Sequence, residues 1–312
     1  MSSLLDRPLR VGILAAADNA LVRRVVTRYG MRLGARRFVA GENAAQLLSA
    51  ARAANAAGFS VAATLLGESV RDRGETQAVT GEYCRLLGDF AEEGLDANVA
   101  FKLTHVGLDI DSDLAFENAS RIAVAAEQSG KTVRMDMEQS RYVDRTLEIY
   151  RRLRERHANV GFVLQSYLHR SNADLDAALA LAPNLRIVKG AYLEPVEVAF
   201  ARKRDVDANY LRLAETALAH DGYTAIATHD PAIVEAVEAV AATRGLPKQG
   251  RFEFQMLYGI ATPLARRMVE RGYRVRLSIP YGDYWFPYLM RRLAERPANV
   301  AFFIKGAFFP SR

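Results

Sequence analysis

YTAIATHDPAIVEAVEAVAATRG, Tyr223 to Gly245, reads as one strand followed by one helix. A short apolar run with β-branched residues gives way at Thr228-His229-Asp230 to a proline, then to apolar residues at helical spacing, then to a glycine. Proline suits the first helical position, and glycine takes up the left-handed conformation that follows a last turn. The same unit recurs in both directions along the chain. Candidate strands lie at 59–66, 98–104, 131–137, 159–167, 185–192, 223–230, 252–257 and 274–281. Between them run helix-like segments such as SDLAFENASRIAVAAEQSG, 112–130, again closed by glycine. Strands separated by helices favour parallel pairing. Eight such units predict an α/β fold, a (β/α)8 TIM barrel, rather than an open sheet. No Gly-x-Gly-x-x-Gly follows any strand, which weakens the dinucleotide-binding open-sheet alternative. Residues 1–45 are rich in Ala and Arg and predict extra helices ahead of the barrel. No Gly-, Pro- or Ser-rich linker interrupts the chain, so one domain over 1–312 is expected.

The 312 residues are 50% hydrophobic and 25% charged, enough to bury a large core. The net charge of +6 allows anionic partners, but the basic residues are spread along the chain and mixed with acids. Without a run of like charge, nucleic-acid binding is not expected. The single cysteine, Cys84, excludes an intrachain disulfide and fits a reducing compartment. Neither a secretory signal nor a membrane-spanning run is legible, so a cytoplasmic location is expected.

A barrel of this kind places its chemistry at the C-terminal ends of the strands. Those ends carry Lys102 and His105; Asp136, Glu138 and Gln139; Gln165 and Tyr167; Arg186, Lys189, Gly190 and Tyr192; Thr228, His229 and Asp230; Gln255, Leu257 and Tyr258; and Ser278, Tyr281 and Asp283. One lysine or histidine inside an apolar strand can be a satisfied core residue. Seven strands loaded in this way predict a site, because buried charge is costly unless it is paired or liganded. His105, His169 and His229 stand far apart and lack metal-ligand spacing, so no metal is expected. Two strand lysines would suit a Schiff-base aldolase. The donors Arg186, Lys189, Gln165, Thr228 and His229 suit a large acceptor-rich ligand such as a flavin dinucleotide, and Gly190 lets the backbone approach a flat ligand.

After the eighth strand, Tyr288, Arg291, Arg292 and Glu295 stand at i, i+3, i+4 and i+7, on one helical face. On a solvated face they form ordinary helix-support pairs. Facing a pocket, the two guanidinium forks would grip a carboxylate, with Glu295 bracing one of them. Tyr281, Tyr284, Trp285, Phe286 and Tyr288 crowd the same region and could wall off a small amphipathic substrate.

The motifs YLMRRLAE (288–295) with PYG (280–282) upstream, MDME (135–138), RIVKGAY (186–192), ATHD (227–230) and FEFQMLYG (252–259) occur in the order seen in proline dehydrogenases. From about residue 60 onward the chain resembles that family, in its monofunctional bacterial form. The resemblance implies a distorted barrel with its last helix over the mouth, non-covalent FAD, and oxidation of L-proline to 1-pyrroline-5-carboxylate by hydride transfer, with electrons passed to a quinone. It implies Asp136 and Arg186 as catalytic, with Arg186 near the reactive flavin nitrogen. Arg291 and Arg292 would bind the proline carboxylate, supported by Glu295. Lys102, Leu257, Ser278, Tyr281 and Tyr288 would line the substrate. Met137, Gln165, Lys189, Gly190, Ala191, Tyr192, Thr228, His229 and Gln255 would contact FAD. Many relatives carry tyrosine where this chain has Ser278. A quinone acceptor implies transient contact with the inner face of a membrane, to which the tail AFFIKGAFFP, 301–310, could contribute. The competing readings are the aldolase and a non-catalytic protein that binds an anionic ligand.

Overall fold

The computed structural model describes residues 19, 24, 26–27, 30–31 and 34–295, without the side chains of Ala294 and Glu295. The expected helical extension over 1–45 therefore lies mostly outside the described residues, and the tail 301–310 wholly outside them. The elements in chain order are α1 (Ala44–Ala56), β1 (Ser60–Leu65), α2 (Arg73–Glu92), β2 (Ala97–Lys102), α3 (Ser112–Gln128), β3 (Val133–Asp136), α4 (Val143–Arg154), β4 (Val160–Gln165), α5 (Ser171–Leu179), β5 (Asn184–Val188), α6 (Lys203–Ala219), β6 (Tyr223–Ala227), α7 (Pro231–Thr243), β7 (Phe252–Leu257), α8 (Thr262–Glu270), β8 (Val275–Tyr281) and α9 (Trp285–Glu295).

The eight strands form a closed barrel in chain order, and the ladders between them are parallel. The expected (β/α)8 architecture is thus present. By packing, the chain divides into two units, residues 51–64 with 68–278, and residues 1–50 with 65–67 and 279–312.

Local chemistry sets the element ends. Asp230 accepts a hydrogen bond from the Ala232 N–H and Pro231 opens α7. At the far end, Leu246 N–H reaches back to the Ala241 carbonyl and Gly245 N–H to Ala242, with Gly245 at φ +64°. This is the left-handed glycine closure that the sequence predicts. Asp72 and Asp111 cap α2 and α3 in the same way, through their carboxylates. Two strands stop three or more residues short of their predicted ends. β5 ends at Val188 because Gly190 turns the chain at φ +112°. β6 ends at Ala227 because the Thr228 hydroxyl accepts from Asp230 N–H and folds the backbone into a turn.

The period of two in each strand sorts the residues into layers. In β7, Phe252, Phe254 and Met256 are buried on one side, and Glu253 and Gln255 on the other. The apolar layer meets the helices. Burying each large apolar side chain stabilises the fold by about 1.5–3 kcal/mol. The other layer fills the barrel, and there the charged residues are found.

Candidate active site

Inside the barrel the charged side chains bond from strand to strand, some to a neighbouring strand and some past one. Arg134 of β3 donates to the Asn184 side chain of β5. Arg186 of β5 ion-pairs with Asp136 of β3, and its other terminal nitrogen lies 3.5 Å from Gln255 Oε1 of β7. Arg276 of β8 donates from Nε to Glu253 Oε1 at 2.8 Å and from Nη1 to the Val61 carbonyl of β1 at 2.8 Å. Burial raises the Glu253 carboxyl, but the neighbouring Arg276 outweighs it and holds the group at about 2. Burial, with Arg186 close by, pushes Arg134 down to about 10. The Arg186–Asp136 and Arg276–Glu253 charges are paired, as burial requires, whereas Arg134 bonds a neutral amide.

At the C-terminal end of β2, Lys102 stands in register with Asp136 and ion-pairs with Glu68, on the segment after β1. The chain then tightens into a 3-10 turn, Leu103–His105. Thr104 donates to Glu138 from its N–H at 3.1 Å and from its hydroxyl at 2.7 Å. Burial raises Glu138 to about 7, and burial with the nearby Lys102 charge lowers His105 to about 4. The two act on stability in opposite senses. Glu138 ionises less readily folded than unfolded, so stability falls as pH rises from 4.5 to about 7. His105 protonates less readily folded, so stability falls as pH drops from 6.5 to about 4. Glu138→Gln keeps the shape and removes the first effect. The melting temperature of the variant, relative to wild type, is expected to climb between pH 4.5 and about 7. A flat difference in a pH-resolved thermal scan would show that Glu138 does not titrate there.

At the C-terminal ends of β5 and β6, Lys189 ion-pairs with Asp207 at 2.6 Å and Asp230 at 3.0 Å, and Lys203 with the same two aspartates. His229 Nε2 accepts the Leu257 N–H at 2.8 Å, which puts the neutral ring's proton on Nδ1. Thr228 N–H donates to the Gln255 carbonyl at 3.2 Å. Lys102 and Lys189 are thus both engaged by carboxylates. A Schiff-base lysine needs its amine free in an apolar pocket, so this geometry does not favour the aldolase.

Two groups in the barrel unit fit a planar ligand that offers both a donor and an acceptor. Gln165 Oε1 and Arg186 Nε are buried without a hydrogen-bond partner among the described residues. A Cβ at Gly190 would fall 2.2 Å from the Tyr167 ring, so nothing larger than glycine fits between ring and backbone there. Met137 is buried and its carbonyl accepts from Gln165 Nε2 at 3.3 Å, whereas Ala191 lies exposed on the loop after β5. Ser278 stands opposite Leu257 in the β7–β8 register. No group of three His, Cys, Asp or Glu among the described residues could hold a metal ion.

In the other unit, Tyr281 and Trp285 are buried, and Tyr288, Arg291 and Arg292 are half-buried. The Arg292 guanidinium lies 5.2 Å from the centre of the Tyr288 ring, a cation–π contact across one helical turn. The Glu295 side chain, expected to brace the arginines, lies outside the described residues. Tyr284, expected among the walling aromatics, is 65% exposed. Trp285 Nε1 donates to Glu42 at 2.9 Å, Ala40 N–H to the Pro280 carbonyl at 2.9 Å, and Gly282 N–H to the Gly41 carbonyl at 3.0 Å.

Sequence reading missed Glu68, Asp207, Glu253 and Arg276. The last two carried a signal, since charge alternates with apolar residues in FEFQML and RVRLS. Glu68 and Asp207 lie outside strands, and nothing local distinguishes them from surface acids.

The family profile described as proline dehydrogenase matches residues 47–305. Proline dehydrogenase 1 of Bacillus subtilis (strain 168) is 39% identical over 298 residues, covering 96% of this chain and 98% of the relative. The proline dehydrogenase of Deinococcus radiodurans is 39% identical over 308 residues, covering 97% of this chain and 99% of the relative. Among solved structures, proline utilization A from Bdellovibrio bacteriovorus superposes with a TM-score of 0.82 at 24% identity over 99% of this chain, a likeness of fold. This chain spans 38% of the length of that structure.

Proposed function

The chain belongs to the proline dehydrogenase family, and from that membership we propose that it oxidises L-proline to 1-pyrroline-5-carboxylate, with non-covalent FAD as first electron acceptor and a quinone as the second. Dehydrogenation of proline comes with the family; the product, the flavin, the quinone and the residue roles are the proposal. The supporting observation is the Arg186–Asp136 pair inside the barrel, beside a buried Gln165 oxygen that lacks a partner among the described residues. When bound, a flavin supplies the two-electron acceptor for the hydride leaving the carbon beside the proline nitrogen.

The residues that would hold it are Met137, Gln165, Arg186, Lys189, Gly190, Ala191, Tyr192, Thr228, His229 and Gln255. Arg186 donates hydrogen bonds where negative charge would gather. Lys102 and Asp136 serve the substrate, and Leu257, Ser278, Tyr281 and Tyr288 shape its ring site. Arg291 and Arg292 take the carboxylate. That assignment rests on the YLMRRLAE motif and on the fit of planar guanidinium forks to carboxylates. Fixing the carboxylate orients the ring, and orientation makes the step effectively unimolecular.

Mixing the purified, flavin-loaded protein with L-proline without oxygen is expected to bleach the flavin absorbance. A flavin that stays oxidised refutes the reading, and a colourless protein trapped by borohydride with a carbonyl substrate supports the aldolase. Turnover with a soluble quinone checks the second acceptor, and cosedimentation with lipid vesicles checks a peripheral location at the inner face of a membrane. No helix among the described residues is long and apolar enough to cross one.

Ser278 gives a specificity prediction. A tyrosine at that position would fill space beside the ring that the serine hydroxyl leaves open. Ser278→Tyr is expected to lower the ratio of kcat/KM for 4-hydroxyproline over that for proline by about 10-fold, the scale of one lost or added contact in a pocket. An unchanged ratio sinks the idea.

A further inference from the structure

We propose that Glu253, two residues before Gln255 and away from the C-terminal ends of the strands, is a positioning residue that sets which way the Gln255 amide faces and thereby holds Arg186 in place. The proposal rests on the reading of Arg186 as a residue that works on the bound flavin and substrate. Glu253 is 1% exposed, and four donors fix its carboxylate. Oε1 accepts from Gln255 Nε2 at 2.6 Å and from Arg276 Nε at 2.8 Å. Oε2 accepts from the Tyr223 hydroxyl at 2.9 Å and from Arg274 Nε at 3.3 Å. Strands β6, β7 and β8 all contribute, so the carboxylate has one position.

An ionised carboxylate only accepts hydrogen bonds, and a guanidinium only donates them. Gln255 lies between one of each. The amide atom facing Glu253 must be the nitrogen, and Oε1 then faces Arg186, 3.5 Å from its terminal nitrogen. Arg186 is drawn by acceptors on two sides, Gln255 Oε1 and the Asp136 carboxylate. Turned by half a rotation, the amide would set its NH2 against the guanidinium, two donors facing each other in a buried barrel. That arrangement leaves both groups unsatisfied and drives Arg186 away from Gln255. Gln255 therefore couples the lower barrel to the candidate site, and Glu253 decides the sense of the coupling.

Three measurements test this. Glu253→Met keeps the length and removes the acceptor. In the flavin-loaded variant kcat for proline is expected to fall about 10- to 100-fold, the effect of a small misplacement of a working group, with KM within about twofold of wild type. Glu253→Gln removes the charge but keeps an acceptor oxygen for Gln255 and Arg276, while its NH2 meets the Tyr223 hydroxyl, which can accept, and loses the longer contact with Arg274 Nε. It is expected to retain most of the wild-type kcat, whatever its melting temperature. A Met variant with wild-type kcat overturns the proposal, and so does a Gln variant as slow as the Met variant, because charge would then be at work rather than orientation. Should the Met variant not fold, neutron diffraction from wild-type crystals reads the amide directly. Deuterons are expected on the atom facing Glu253, and deuterons on the atom facing Arg186 overturn the proposal. Wild type that proline cannot reduce defeats the functional reading alone, since the neutron result does not depend on turnover.

Discussion

Arg291→Met and Arg292→Met are each expected to raise KM for L-proline by about 10- to 100-fold, with kcat changing less. A hydrogen bond to a charged group contributes about 1.5–3 kcal/mol, and methionine keeps the aliphatic bulk while removing the fork. Both arginines are half-buried on α9, and the Arg292 guanidinium rests over the Tyr288 ring. The ring restricts the side chain before substrate arrives, so less freedom is lost on binding. Lysine at either position restores a charge without the planar fork and should fall between wild type and methionine. Initial rates over a wide proline range give the split between KM and kcat. A KM near wild type in both methionine variants refutes the carboxylate assignment.

The second large effect is expected at Asp136. Its carboxylate pairs with Arg186 and stands in register with Lys102. The paired side chains are 18% and 11% exposed, so solvent screens the pair only partly. Asp136→Ala strands a guanidinium inside the barrel, and breaking a buried pair from one side costs about 3–5 kcal/mol. The expected result is a fall in kcat/KM of about 100-fold or more together with a clear loss of melting temperature, since among the described residues Arg186 then keeps its weaker contact with Gln255. Asp136→Asn retains an acceptor oxygen and should lose less on both counts. An Asp136→Ala enzyme with wild-type kcat/KM would remove Asp136 from the catalytic set.

Much of the barrel was legible because its signals are local. Strand and helix periodicity, Pro231 at a helix start and Gly245 past a helix end each act within a few residues. The loaded strand ends were legible too, since Lys102, Asp136 and Gln165 close β2, β3 and β4. The partners were not. Glu68 meets Lys102 across 34 residues, and Asp207 meets Lys189 only because α6 returns over the barrel end. A pairing set by the closure of a barrel leaves no trace in the residues beside either partner. Gln255 shows the limit most clearly. Sequence marks it as an amide near a strand end, yet its orientation follows from Glu253, Arg276 and Tyr223 on three strands.

The bonds between residues 40–42 and 280–285 also bear on biosynthesis. Glu42 receives the Trp285 indole N–H across 243 residues, and Ala40 and Gly41 bond to Pro280 and Gly282. At roughly 5–20 residues per second, a ribosome delivers Trp285 some 12–50 s after Glu42. For that interval the early segment waits with its polar groups unmet by their native partners, while the strands between are made and can begin to pair. The turn leading into α9, and with it the double arginine, is therefore secured only after the strands that precede it have been made. Chaperone demand should concentrate on nascent chains longer than the seventh strand, and a stall late in translation should release protein that lacks its proposed substrate clamp.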